Sequence, residues 1–287
     1  VMGVAGSIDD PAELIHDGMT IGIGGWGSRR KPLALVRAVV RSGAKDLTIV
    51  SFGGPDVGIL CATGQATTVV HGFVSLDSIP IDPHFAAARQ DGRIRSVELD
   101  EAMLVSGLRA AARRLPFEVT RSGLGSDAVT RNPDIRTIES PYGDGETLVA
   151  MPAIPLDLAL VHLDRADEGG TAVCLGPDLF FDDLFAGAAA ETVVSVERMV
   201  PRAELFTDAP HTTTHLDPTL TNWILESPEG AGFTAHPPHR ARDEELQRAY
   251  AEASTSAEAW NAFAARFVAV DDEQYRAAVA AFHGEER

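Results

Sequence analysis

The sequence predicts an α/β protein: an open, largely parallel sheet wrapped by helices, with a helical extension at its C-terminal end. Three observations carry this expectation. Short β-branched runs such as Leu47–Phe52 (LTIVSF) read as strands buried on both faces. Amphipathic helical patterns alternate with them, which calls for crossover units and a parallel sheet. Past about residue 240 the strand patterns stop and helical periodicity continues. A chain of 287 residues can bury a substantial core. It divides on this reading into an α/β domain, residues 1–205, and a loop-and-helix extension, residues 206–287, packed on the body or on a partner.

Taken in order, Asp10–Asp17 is a short helix, with Pro11 inside its start and Gly18 past its end. Met19–Ile23 is the first strand and Pro32–Ser42 the first long helix, ended by Gly43. Leu47–Phe52 is the second strand, and Val57–Ala62 a short helix after the GGPD turn. Thr67–His71 is a strand, Pro83–Gln90 a helix and Ile94–Leu99 an alternating strand. Glu101–Arg114 is an amphipathic helix with Asp100 as its N-cap. Arg121–Asp127 (RSGLGSD) is a glycine-rich loop, and residues 128–146 are polar and turn-rich. Thr147–Met151 and Asp157–Leu163 are strands, Phe180–Ala190 a helix and Thr192–Glu197 a strand. Residues 207–240 read as ordered loop, Arg242–Val268 as one long helix and Asp272–Phe282 as another.

Composition narrows the function. A net charge of −18 repels nucleic acid and anionic membrane surfaces. No apolar run approaches the roughly 18–20 residues of a membrane helix. The opening VMGVAGSIDDPAEL lacks a charged segment followed by an apolar one, so no secretory signal is expected. Cys61 and Cys174 are too few for a disulfide framework and read as buried small hydrophobes in a reducing cytoplasm. His211-x-x-x-His215 and His236-Pro-Pro-His239 have no suitably offset acidic third ligand, so they read as loop histidines and no metal is expected.

The chemistry-bearing stretch is Met19–Arg41. Gly22, Gly24, Gly25 and Gly27 let the backbone turn sharply, and Arg29, Arg30 and Lys31 follow directly. Pro32 suits a helix start. Cations at the positive end of a helix are unfavourable by themselves. Backbone N–H groups and three cations at one spot therefore suggest an anion, either a ligand group or a developing oxyanion. A purely structural glycine turn is the alternative. Gly22-x-Gly24-x-x-Gly27 also matches the dinucleotide fingerprint, but the next strand ends Ser51-Phe52-Gly53-Gly54 without the acid that would hold a ribose. Asp100 and Glu101 fall where a strand meets its helix, at the edge where open α/β sheets bind ligands. Asp100 has a structural job as the cap. Glu101 has none, and a glutamate in a partly dry cleft serves as general acid or base.

On these residues the chain resembles the α-subunits of the class I coenzyme A transferases. GGWGSRRKP looks like their GGF loop ending in proline, and the likeness continues through LTIVSFGGPDVGIL, VHGFVSLD, GLGSD, ETLVAMPAIPLDLALVHLDRADEGGT and SVERMV. WGSRRKP, GFVSLDS, FFDDLF and SVER further resemble an actinobacterial branch that opens steroid rings hydrolytically as CoA thioesters. The resemblance implies a CoA-transferase-like fold and a homologous β-subunit in an α2β2 heterotetramer. It also implies an active site at the subunit interface, with coenzyme A present only as part of the substrate. In the transferases the nucleophilic glutamate belongs to the β-subunit, and the α-subunit supplies a glutamine that holds the thioester oxyanion. Glu101 occupies that glutamine position here. A carboxylate donates no hydrogen bond unless protonated, so Glu101 suits water activation or proton transfer.

The expected activity is that of the α-subunit of a hydrolase opening a carbocyclic β-dicarbonyl ring of a steroid-derived CoA thioester. Glu101 is its expected catalytic residue. Backbone N–H groups of Gly24, Gly25, Trp26 and Gly27, with Arg29 or Arg30, would stabilise oxyanions or anionic substrate groups. Gly123 and Gly125 would let substrate pass close to backbone, and Trp26 would pack on an apolar ring or in the core. The alternatives are a true CoA-transferase α-subunit acting on a small dicarboxylate, and a non-catalytic subunit that only completes the β-subunit's pocket.

Overall fold

The structure is a computed structural model and describes residues 6–285. The first five residues of the stretch read for a secretory signal lie outside the described residues. A short strand, β1 (Gly6–Ser7), opens the chain. One 3-10 turn at Pro11–Leu14 stands where the Asp10–Asp17 helix is predicted, because Ile15 returns to extended backbone. There follow β2 (Thr20–Ile23), α1 (Leu33–Ser42), β3 (Leu47–Gly53), α2 (Pro55–Ala62), β4 (Ala66–Val74), α3 (Pro83–Gln90), β5 (Arg95–Glu98) and α4 (Glu101–Ala112). Asp100 caps α4 as predicted, accepting from the Met103 N–H.

A small antiparallel sheet then interrupts the pattern. It is built from β6 (Phe117–Thr120), β7 (Arg136–Glu139) and, between them, β8 (Thr147–Pro152), with the short helix α5 (Asp127–Thr130) in its loop. Only β8 is legible in the sequence, because the other two strands are four residues each and largely exposed. The chain returns as β9 (Leu156–Ala166), β10 (Ala172–Val173), α6 (Asp182–Ala188) and β11 (Ala189–Met199). It then runs through β12 (Thr214–Leu216) and β13 (Trp223–Glu226) to the helices α7 (Glu244–Glu252), α8 (Ala257–Phe267) and α9 (Asp272–Glu285). Helix α6 starts two residues later than predicted because Phe180 and Phe181 take left-handed backbone, φ 55° and 60°. The predicted single helix over Arg242–Val268 breaks where Ser256 adopts extended backbone and caps α8 through the Ala259 N–H.

The main sheet runs β1-β13-β11-β9-β2-β3-β4-β5, and every neighbouring pair along it is parallel. The chain builds outward from β2 to β5, then returns to lay β9 on the other side of β2. The strand order therefore reverses between β2 and β9, and ligands bind outside the carboxyl ends of strands at such a switch point. Register places Leu160, Ile23, Ser51, His71 and Glu98 in one row across β9, β2, β3, β4 and β5.

The boundary predicted at residue 205 does not divide the structure. Strand β13 lies beyond it yet sits inside the main sheet, between β1 and β11. Leu246, Tyr250, Phe263 and Phe267 of the helical extension share one buried core with Leu33 of α1 and Leu60 of α2. Among the described residues no helix is long and apolar enough to cross a membrane.

Candidate active site at the carboxyl edge of the sheet

Just past the register row, the glycine turn covers the end of β2. Its tightness has a direct cause: a Cβ at Gly54 would stand 1.8 Å from the Gly27 carbonyl oxygen, and one at Gly25 2.5 Å from the Arg30 carbonyl oxygen. The turn's N–H groups are spent inside the chain. Gly24 donates to Leu160 O, Trp26 to Arg29 O and Gly27 to Phe52 O. The Gly25 N–H donates to Asp182 Oδ1 at 2.8 Å.

An anion does occupy this turn, and it is the protein's own. Arg30 is buried and pairs with Asp182 at 2.6 Å, also donating to the carbonyls of His162, Asp178 and Leu179. Burial opposes its charge most, but Asp182, Cys174 and Asp164 together hold the guanidinium pKa above its ordinary value. Lys31 is fully buried against Asp56 at 3.1 Å and Ser51 at 2.8 Å, and burial pulls its pKa down. Arg29, half-exposed, pairs with Asp77 at 3.0 Å. The charge conflict in the sequence is thus resolved by three aspartates distant along the chain. The expected assignment of Gly24, Gly25, Trp26 and Gly27 N–H groups and Arg30 to a substrate oxyanion is corrected: these groups hold Asp182 and neighbouring carbonyls. Of the two arginines, Arg29 alone keeps an exposed face.

Glu101 stands apart from this internal pairing. It is exposed on the first turn of α4, and among the described residues it makes no hydrogen bond or ion pair. Its helix end is held firmly. Asp100 Oδ1 accepts from the Met103 N–H at 2.7 Å, and Asp100 Oδ2 accepts from the Ser122 hydroxyl at 2.6 Å. The glycine loop is thereby tied to the helix that carries Glu101. Gly123 has φ +82°, and its absent Cβ makes room for Met103 Sδ, 2.4 Å from that position. Its requirement is therefore packing against α4; Gly125, φ +77°, has nothing within 4 Å of its missing Cβ. Gly72 of β4 faces Glu101, whose Cα lies 3.3 Å from where a Cβ would stand. A cavity of about 780 Å³ is lined by Asp100, by Arg95–Leu99 and by residues between Ser126 and Pro133.

The next residue of β4, Phe73, belongs to a ring cluster. Trp26 stacks on Phe52 at 4.7 Å and lies 4.9 Å from Phe73, 6.5 Å from Phe180 and 6.2 Å from Phe181. Trp26 thus packs on the core and is half-buried. Phe180 and Phe181 were hidden by the helical pattern of their segment. Their consecutive left-handed conformations cost roughly 1–2 kcal/mol each, with only the run of β-carbon-bearing residues to signal it.

With this geometry established, comparison with known proteins is informative. The family described as coenzyme A transferase matches residues 6–216. This chain belongs to the coenzyme A transferase family. It is 49% identical over 287 residues to a Rhodococcus jostii protein named cholesterol ring-cleaving hydrolase IpdA subunit, covering 98% of this chain and 97% of that one. The protein of the same name from Mycobacterium tuberculosis is 47% identical over 95% of this chain and 96% of its own length. Glutaconate coenzyme A-transferase from Acidaminococcus fermentans superposes with a TM-score of 0.86, covering 95% of this chain and 92% of its own, at 23% identity; that likeness shows the fold.

One feature of this chain escaped sequence reading. His236 and His239, read as loop histidines without a metal, converge on Asp164, 3.2 and 2.7 Å away, and His236 is fully buried. His236 Nδ1 and His162 Nε2 each lie 3.1 Å from Glu197 Oε1. The acids that complete the group come from strands β9 and β11, so no local spacing reveals them. Three donors in each half could ligate an ion. His236 Nε2 is buried without a hydrogen-bond partner. Burial opposes a charge on His236, but Asp164 and Glu197 raise its pKa above the ordinary value.

Proposed function

We propose that this chain is the α-subunit of a heteromeric hydrolase that opens a carbocyclic β-dicarbonyl ring of a steroid-derived CoA thioester. The carrying observation is Glu101. It is an exposed, unengaged carboxylate fixed at the carboxyl edge of the sheet by the Asp100 cap and the Ser122 tether. The 49% and 47% identical relatives bear the name of a cholesterol ring-cleaving hydrolase subunit, which supports the substrate class and its place in cholesterol catabolism. In this reading Glu101 takes a proton from water as it adds to the ring ketone. The C–C bond to the neighbouring carbon then breaks, leaving a carboxylic acid and a carbanion stabilised by the second carbonyl. Glu101 returns the proton to that carbon, so one water is consumed and the side chain is restored.

The partner is a homologous β-subunit, in an α2β2 assembly in the cytoplasm. The 49% and 47% identical relatives are named as subunits, and this chain has an apolar face suited to a partner. On the outer side of the small sheet, Phe117, Val119 and Ile138 are 40, 49 and 38% exposed. Coenzyme A enters only as part of the substrate. Arg29, the half-exposed cation of the turn, pairs with Asp77 and in this reading turns its open face to an anionic group of substrate or partner.

The test uses the two subunits co-purified. Heavy-oxygen water should label the new carboxylate with no acyl acceptor present. Acceptor-dependent CoA exchange, with a glutamyl-CoA thioester trapped on the partner, would overturn the hydrolase reading in favour of a CoA-transferase.

A further inference from the structure

We propose that Asp164, His236 and His239 ligate a divalent transition-metal ion, Zn²⁺ foremost, which clamps the 236–240 turn to the end of β9. The site is independent of the hydrolase reading, and four observations carry it.

The first is convergence. Asp164 stands on β9, while both histidines stand on a turn closed by reciprocal backbone hydrogen bonds between His236 and Arg240. Gly176 lets that turn lie close, since a Cβ there would stand 2.6 Å from the Pro237 carbonyl oxygen. His236 Nε2 and His239 Nε2 therefore come within 3.2 and 2.7 Å of one oxygen, Asp164 Oδ1. Tetrahedral zinc, with bonds of about 2.0–2.1 Å, sets its ligand atoms about 3.3 Å apart. His236 already has that spacing. His239 has only to swing out by roughly half an ångström, and its side chain is 39% exposed, with room to do so.

The second is the unpaired atom. His236 Nε2 is buried with no hydrogen-bond partner, and such an atom is rare in a native structure and costly. Asp164 Oδ1 is near enough to accept but lies off the hydrogen-bond axis. Ligation asks for that offset, because the metal takes the ring-nitrogen axis and the carboxylate oxygen stands to one side.

The third is support. His236 Nδ1 lies 3.1 Å from Glu197 Oε1, the outer carboxylate that orients a ligating imidazole. Asp164 Oδ2 accepts the Leu175 N–H at 2.6 Å, which turns Oδ1 toward the histidines. The fourth is discrimination. Glu197 Oε1 is crowded by His162, His236 and the Arg240 guanidinium, so an ion goes to Asp164 instead. Two imidazoles and one carboxylate suit Zn²⁺ and its transition-metal neighbours, whereas Mg²⁺ and Ca²⁺ want oxygen alone. Entry is from the His239 side, where the fourth position meets water. The ion would also brace the glycine turn: Ala235, next to His236, accepts the Arg30 N–H at 2.6 Å and donates to the Ser28 carbonyl at 3.0 Å.

The test is calorimetric titration of Zn²⁺ into co-purified α and β subunits cleared of metal with a chelator. The unaltered complex should take up one Zn²⁺ per α-subunit, Mg²⁺ should not replace it, and the melting temperature should rise with Zn²⁺. His239→Gln changes a half-exposed side chain, and Asp164→Asn keeps an oxygen for the Leu175 N–H. Each should weaken the binding by about a hundredfold or more, since loss of an outer partner alone costs about 10–100-fold. His239→Gln should also abolish the Zn²⁺-dependent rise in melting temperature. His211→Gln, which alters a loop histidine outside the cluster, should bind as the unaltered complex does. No Zn²⁺ uptake by the unaltered complex, uptake undiminished in His239→Gln, or an equal loss in His211→Gln overturns the site. Ring cleavage is not part of this readout, so failure of the hydrolase reading leaves the site standing.

Discussion

Arg30 and Asp182 form an ion pair of 2.6 Å with both side chains shut off from solvent. Asp182 also takes the Gly25 N–H, so one buried carboxylate fixes the glycine turn, the arginine and the start of α6. Removing one partner leaves a buried charge without compensation. Arg30→Met should therefore cost about 3–5 kcal/mol of stability, read as a lowered urea midpoint. The double variant Arg30→Met, Asp182→Leu should recover part of that loss, because it removes the stranded charge as well as the pair.

The same turn makes a steric prediction. A methyl group at Gly54 cannot coexist with the Gly27 carbonyl oxygen 1.8 Å away, and both groups are backbone-borne. Gly54→Ala should destabilise the protein by about 3 kcal/mol or more, at or above the top of the usual overpacking range. Gly43→Ala is the matched control. Its left-handed φ of +69° has free space around it, so it should cost only about 1 kcal/mol, measured by the same unfolding curves.

How far the sequence discloses such features depends on how local their causes are. The α4 cap at Asp100 was legible because the capping carboxylate and the N–H that donates to it lie three residues apart. So was α3, which begins with Pro83 just after its Asp82 cap. Strand β13 was not, since WILE is short and sits among prolines; only its place between β1 and β11 makes it a strand. The demand for an anion beside Arg29-Arg30-Lys31 was legible as a charge conflict, but Asp77, Asp182 and Asp56 were not, because parallel crossovers bring them in. The Glu101 position was readable from strand-to-helix placement. The aromatic turn above Trp26 was not, because FFDDLF carries a helical pattern that its first two residues break.

Glu197 yields a pH-dependent prediction. Burial works against its charge, yet hydrogen bonds from His162, His236 and the Glu229 N–H pull its pKa well below the ordinary 4.5. A carboxylate with a lowered native pKa stabilises the fold fully above its unfolded pKa and loses that contribution as pH falls through the native value. Glu197→Gln should therefore lower stability by about 1–3 kcal/mol at neutral pH, with solvent access favouring the lower figure. The gap from the unaltered protein should stay level down to about pH 5 and narrow below about pH 4.5. Paired denaturation curves from pH 3.5 to 8 check the sign (~0.5 unit steps suffice). A gap that widens on acidification would mean that Glu197 is not the charged acceptor of this network.

Glu101→Gln separates chemistry from architecture. The side chain is exposed and unpaired, so its exchange should move stability by no more than about 0.5 kcal/mol and leave assembly with the β-subunit intact. Glutamine keeps the size and can donate a hydrogen bond, but it cannot accept a proton from water at neutral pH. Loss of a general base costs about 10²–10⁴ in rate. The turnover number should fall by that factor with KM little changed, because the substitution keeps the side chain's size and shape. Asp100→Asn weakens the charge at the cap while keeping an oxygen acceptor, so it should reduce turnover far less. Full activity in Glu101→Gln would assign this chain a purely supporting role in its partner's site, whereas a matched fall in both Glu101→Gln and Asp100→Asn would place the chemistry in the shape of the α4 tip and not in the Glu101 carboxylate.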